Sequence, residues 1–470
     1  MNGKRPSVGI MLVNFGVPDE PTEEAVSAFL RSYMADARVF GRAKLALYQL
    51  THLSFFHQAS IEATQRFADI CVDGEPPYLK IGTRQARYVT EGLAYKGIES
   101  AAVVTVYRYG NPSMHKGFKR LAKLGCKRIL VVPLYPQSSY SFTATVHDEY
   151  KKAKRHYSDI EFRFVDNFYD NPIYIQTMAS VVSHSFKPRN TGSTGSVPAF
   201  ETGTFPAVTA EMFVGSGLSE DALEAMGSLD LDIAIPEIEE RDAKIVFAFR
   251  SIPLRDVSRG DTYELQTSAT ALAIADTLGL ARDRWTISYM PYKHMGEHPM
   301  LSPNIDETID RFLIGNVRDV VVTCPGILTD SVDTTLDIDR DLRARFEDGY
   351  AGTGKRCSFT YVPALNAGRL FARMMTEIVY ANLHGWDDLS DDHDDLYGAL
   401  RTMRRTEEDP RPDVSTVPEP VQPAALDVEI PAPGEIGADG RIDPESLPGL
   451  HNTGEFHAVP TIEHGSHEHR

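Results

Sequence analysis

Apolar runs of five or six residues alternate with longer amphipathic stretches along most of the chain. The runs Val8–Val13, Ala102–Val106, Ile129–Leu134, Glu161–Val165, Lys244–Phe249, Thr286–Met290, Asp319–Thr323 and Ser358–Val362 read as strands. The stretches Thr22–Met34, Ile81–Lys96, Met114–Leu124, Ala144–Ser158 and Gln266–Leu278 read as helices. A short strand followed by a helix of this length is a βα unit, and successive units build a parallel sheet buried on both faces. Four strands fall on each side of a central gap. The pattern therefore predicts an α/β protein of two doubly wound parallel-sheet lobes with a cleft between them. Ligands of such sheets bind beyond the carboxyl ends of the strands, so the residues there carry the functional reading.

Two segments break the alternation. Residues 187–242 are rich in Gly, Ser, Thr and acids, and residues 387–470 are acidic, Pro-rich and poor in aromatics. The second composition cannot bury a core, and a disordered tail is expected. The predicted organisation is an N-terminal lobe over 5–186, an acidic insertion over 187–242, a second lobe with a C-terminal helix over 243–386, and the tail over 387–470. The 470-residue length suits two or three domains.

Charge follows the same division. The formal net charge is −18. The tail carries 20 acids against 6 bases and the insertion 11 against 3, so the two lobes are left mildly basic. No basic cluster with interleaved aromatics points to nucleic acid. No run approaches the roughly 20 apolar residues of a membrane helix. The run Val8–Val13 is too short for a signal-peptide core, so a cytoplasmic location is the default. Cys71, Cys126, Cys324 and Cys357 form no CxxC pair, which argues against a zinc site or a disulfide framework.

Four strand ends are unusual. The first strand runs into Asn14-Phe15-Gly16, the second into Tyr107-Arg108-Tyr109-Gly110-Asn111-Pro112-Ser113. The third ends in Leu134-Tyr135-Pro136-Gln137-Ser138-Ser139-Tyr140-Ser141, and the strand opening the second lobe in Ala248-Phe249-Arg250-Ser251-Ile252-Pro253. Converging on one cleft, they would line it with aromatics, hydroxyls and arginine, which suits a large flat ligand bearing carboxylates.

In their order, these motifs resemble the ferrochelatase family. The stretch from Ser251 to Leu280, the segment Leu301–Thr308 and Tyr361-Val362-Pro363-Ala364-Leu365-Asn366 extend the likeness, which covers residues 7–185 and 243–383. The resemblance implies two lobes around a porphyrin cleft and the insertion of ferrous iron, a substrate, into protoporphyrin IX or coproporphyrin III in haem biosynthesis. It implies Phe15, Arg108, Tyr109, Tyr135, Ser139 and Tyr140 as substrate-binding residues. It leaves open a peripheral membrane contact, a haem-pathway partner, and a docking role for the tail. No cofactor is expected, and Cys357 alone cannot hold the iron–sulfur cluster of some relatives, which needs about four ligands.

One departure changes the chemistry. The family places a histidine where this chain has Arg250. Arginine has no acceptor and a pKa above ~12, so it can neither take a pyrrole proton nor ligate iron as imidazole does. On the facing element, Asp333 matches the family's glutamate and Asp337 a second acid. Helical spacing would put Asp330, Asp333 and Asp337 on one face, a costly arrangement without a cation. In one reading Asp333 is acceptor and metal ligand while Arg250 orients a propionate, with His294 as a substitute base and metal ligand. In a second, Arg250 and Asp333 form a buried ion pair that closes the metal site of a non-catalytic tetrapyrrole-binding homologue. In a third, another divalent metal is inserted.

Overall fold

The computed structural model describes residues 7–40, 53–186, 242–291 and 299–386. The tail and the insertion up to residue 241 lie outside them, as does the segment containing His294. The described chain builds two four-stranded parallel sheets. The first comprises β1 (Val8–Asn14), β2 (Ala101–Tyr107), β3 (Arg128–Pro133) and β4 (Glu161–Phe164), in the order β2-β1-β3-β4. The second comprises β5 (Lys244–Arg250), β6 (Trp285–Met290), β7 (Asp319–Thr323) and β8 (Ser358–Val362), in the order β6-β5-β7-β8. The two sheets thus share one winding, and each reverses direction beside its first strand, between β1 and β3 and between β5 and β7. Those two reversals are where a doubly wound sheet opens a crevice.

The main helices are α1 (Glu23–Met34), α2 (Leu53–Asp69), α3 (Pro77–Tyr95), α4 (Met114–Leu124), α5 (Thr143–His156), α6 (Pro172–Ser185), α7 (Tyr263–Thr277), α8 (Ile305–Ile314) and α9 (Arg369–Leu383). Local signals start several of them. Thr22, Ser113, Asn171 and Asn304 each accept a first-turn backbone N–H through their side chains. Between β7 and β8 the residues Asp333–Leu342 form a π-helix. Its i→i+5 bonding widens the turn beyond the 3.6 residues of the α-helix assumed from sequence.

Strand alternation divides the core. Val8, Ile10 and Leu12 of β1 and Ile245, Phe247 and Phe249 of β5 belong to one continuous cluster, filled in by Tyr174 and Met178 of α6, Ile274 of α7 and Met375 of α9. The opposite faces, Met11 and Val13 of β1 and Val246 and Ala248 of β5, pack into separate outer clusters. The lobes therefore share their innermost apolar layer. This fixes one set of strand ends against the other.

Candidate active site at the facing strand ends

Gly16 sets the first wall. Its φ of +109° is a left-handed conformation, and a Cβ there would lie 1.6 Å from the carbonyl oxygen of Tyr109. Only glycine lets the chain after β1 pass this close to the chain after β2. Across the lobes, Asn14 donates to Thr329 Oγ1 at 3.1 Å, and Gln85 donates to the same oxygen at 3.0 Å and to the Asn366 carbonyl at 2.8 Å. These buried hydrogen bonds hold the end of β1 against the loop after β7, although the Gln85 Oε1 finds no partner of its own.

Two cavities meet at Arg250, the smaller of them against this seam. The larger, of about 470 Å³, is lined by α1, α2, the end of β6 and the π-helix, with Val26, Phe29, Leu30, Phe67 and Ile338 among its apolar residues. The smaller, of about 40 Å³, lies among Asn14, Phe15, Tyr78, Tyr135, Tyr263 and Ser331. Arg250 borders both. The larger is within the ~300–1,000 Å³ of small-molecule sites.

Arg250 closes on Asp333 in a direct ion pair, and its guanidinium sits 5.4 Å from the centroid of the Phe15 ring. Phe15 is braced edge-on by Tyr33 at 5.3 Å and Tyr109 at 5.2 Å. The closed pair of the second sequence reading is present, but it is not deeply buried. The Arg250 and Asp333 side chains are 19% and 36% exposed. A pair open to water to that extent is worth far less than a buried one. Around it, burial pushes the Tyr78 hydroxyl and the Cys324 thiol well above their ordinary ranges, so neither ionises near neutral pH.

The acidic face differs from the expected one. Asp330 precedes the π-helix and turns inward, accepting from the Tyr361 hydroxyl at 2.6 Å, Thr334 Oγ1 at 3.0 Å and Asn366 Nδ2 at 2.8 Å. The stripe on the cleft is Asp333, Asp337 and Asp341. Arg66 of α2 reaches it, 2.6 Å from Asp337 and 3.3 Å from Asp341. Neither Arg66 nor Asp341 stood out in the sequence. Arg66 lies 271 positions before Asp337, and no local pattern links them.

The cavities bring together Phe15, Tyr135, Arg250, Asp333 and Asp337, and keep Arg108, Tyr109, Ser139 and Tyr140 out of their linings. Arg108 pairs with Asp36 at 2.5 Å, and the buried Tyr109 hydroxyl donates to the same carboxylate at 2.9 Å. Ser139 Oγ accepts from the Phe142 N–H at 3.1 Å just before α5. The Tyr140 N–H donates to Asp261 at 2.7 Å and the Ser138 N–H to Gln266 at 2.8 Å. The loop after β3 and the Gly-Asp-Thr-Tyr turn are thus a clasp between lobes. Tyr292, Lys293 and His294 lie outside the described residues.

The ferrochelatase family model matches residues 7–197 and 224–383. The chain belongs to the ferrochelatase family. The ferrochelatase of Bordetella pertussis is 28% identical over 380 residues, covering 81% of this chain and 89% of that protein. That of Aromatoleum aromaticum is 27% identical over 407 residues, covering 86% and 96%. That of Actinobacillus pleuropneumoniae serotype 3 is 26% identical over 377 residues, covering 80% and 98%. Among solved structures, SirB from Bacillus subtilis is similar at a TM-score of 0.42 and 11% identity over 82% of this chain and all of that one, too distant to bear on the site.

Proposed function

We propose that this chain binds a porphyrin, coproporphyrin III or protoporphyrin IX, in the cleft and inserts ferrous iron into it. The observation that carries the reading is the position of Asp333, a partly exposed carboxylate at the head of the π-helix that lines the larger cleft and meets Arg250 at the end of β5. Insertion replaces two pyrrole N–H protons by one Fe²⁺, so an acceptor must lie within hydrogen-bond reach of the ring. Arg250 cannot serve. Asp333 can, once the guanidinium has moved aside, and the open cleft lets it pass each proton to water before accepting the next. In this reading Phe15 and Tyr135, which line the smaller cavity beside Arg250, contact the ligand and Asp337 supplies the second acid.

The ion pair itself favours a second reading, in which Arg250 keeps Asp333 occupied and the protein binds a tetrapyrrole without metallating it. One experiment separates the two. The protein is titrated with coproporphyrin III, and ferrous iron is then added anaerobically while the porphyrin spectrum is followed. Binding with conversion to the metalloporphyrin supports insertion. Binding with an unchanged free-base spectrum supports the second reading, and no binding removes both.

A further inference from the structure

Arg108, expected to meet ligand carboxylates, is committed to Asp36 outside the cavities. Three arginines among the described residues do line the larger cleft: Arg66, Arg250 and Arg345. Arg345 is 47% exposed, and its Nη2 contacts both carboxylate oxygens of Asp310, at 2.8 and 2.7 Å. Arg250 is engaged by Asp333.

Arg66 is held differently. It is 24% exposed and touches two carboxylates with one nitrogen each, Nη2 on Asp337 at 2.6 Å and Nη1 on Asp341 at 3.3 Å. Neither contact is the parallel two-point fork that makes arginine–carboxylate pairing strong. Asp341 also accepts from Arg340 Nε at 2.7 Å, so it keeps a cation if Arg66 turns away. Val26, Leu30, Phe67 and Leu342 line the same cleft and offer an apolar surface to a flat ring. A planar ligand lying on that surface would bring its charged edge to a guanidinium whose two nitrogens are split between two carboxylates, and which no single carboxylate holds by both.

We infer that Arg66 is the receptor for a carboxylate on the edge of the planar ligand, and that capturing it releases Asp337 into the cleft beside Asp333. The step is an exchange of ion-pair partners. The ligand carboxylate takes the place of Asp337 on the guanidinium, and no covalent bond changes. The inference deepens the porphyrin reading and rests on it.

The test measures dissociation constants by fluorescence for coproporphyrin III and its tetramethyl ester, on wild-type protein, R66Q, R66K and D341N. R66Q should weaken binding of the acid about tenfold, roughly 1.4 kcal/mol, and leave the ester within about twofold. R66K should fall between, because an ammonium keeps the charge without the fork. D341N should tighten the acid, because it removes one of the two carboxylates with which the ligand competes for Arg66. An equal loss for acid and ester makes Arg66 merely structural and overturns the inference, as does no loss for either. If R66Q does not fold, D341N decides: tighter binding supports the inference, and unchanged or weaker binding overturns it. Wild-type protein that binds neither ligand sinks both this inference and the porphyrin reading, whereas binding without dependence on Arg66 sinks this inference alone.

Discussion

Replacing Arg250 by histidine should accelerate metal insertion at a small cost in stability. The substitution removes the ion pair to Asp333 and the cation–π contact with Phe15. With the two side chains 19% and 36% exposed, the pair contributes no more than about 1 kcal/mol. The cation–π contact adds roughly 0.5–1 kcal/mol. A loss of about 2 kcal/mol lowers the melting temperature by roughly 2–3 °C in a protein of this size. Against that, a positioned proton acceptor contributes about 10²–10⁴ in rate, or roughly 2.7–5.4 kcal/mol of barrier at 1.36 kcal/mol per decade. The assay follows metalloporphyrin formation from ferrous iron and coproporphyrin III under anaerobic conditions, with R250A beside R250H. R250A frees Asp333 without supplying imidazole and should gain less. Because Arg250 borders both cavities, R250A should also leave a hollow that added imidazole can enter, raising its rate but not that of R250H. If folded, porphyrin-binding R250H is no faster than wild type, Arg250 is not the lesion and the argument fails.

Three further outcomes are expected. Gly16→Ala should cost more than ~4 kcal/mol or abolish soluble expression, since the backbone of Tyr109 blocks the new Cβ and the φ of +109° is strained; a normal urea midpoint would contradict this. Trp386→Ala should cost roughly 3–5 kcal/mol, because the indole is buried, donates to Glu161 at 2.6 Å and lies 4.2 Å from the Arg163 guanidinium, whereas truncation after Trp386 should leave melting unchanged. Burial against Tyr150 and Phe164, with Lys151 nearby, lowers the pKa of His147 below 6.5. The unfolded chain therefore takes up this proton first. Stability should be level above about pH 6.5 and fall as pH drops from there through the lowered native pKa. H147Q should flatten the fall between pH 7 and 5, measured as urea midpoints.

The strands were legible because sheets covered on both faces need continuous runs of branched apolar residues, and all eight lie within one residue of their expected bounds. Helix α6 left a weaker pattern. Ile173, Tyr174, Ile175, Met178, Ala179 and Val182 are all buried, so no polar face gives it a 3.6-residue rhythm. Tyr140 looked like a ligand residue since it follows a strand in an aromatic loop, yet that loop fastens one lobe to the other through Asp261 and Gln266. Such motif residues hold the cleft's walls together, a role that spacing in the sequence does not distinguish from ligand contact.

The sequence by itself determined the eight strands, the two-lobed winding, the family, and the fact that position 250 cannot accept a proton. The strands and their winding follow from local periodicity, the family from its motifs in their order, and the last from the chemistry of a single side chain. Only the tertiary structure decided which charges meet. It paired Arg250 with Asp333, turned Asp330 inward to Tyr361 and Asn366, and brought Arg66 from α2 onto Asp337 and Asp341. Partners so far apart along the chain are chosen by how the shared core sets α2 and the π-helix against each other, and by a π-helical turn whose spacing no α-helical reading supplies.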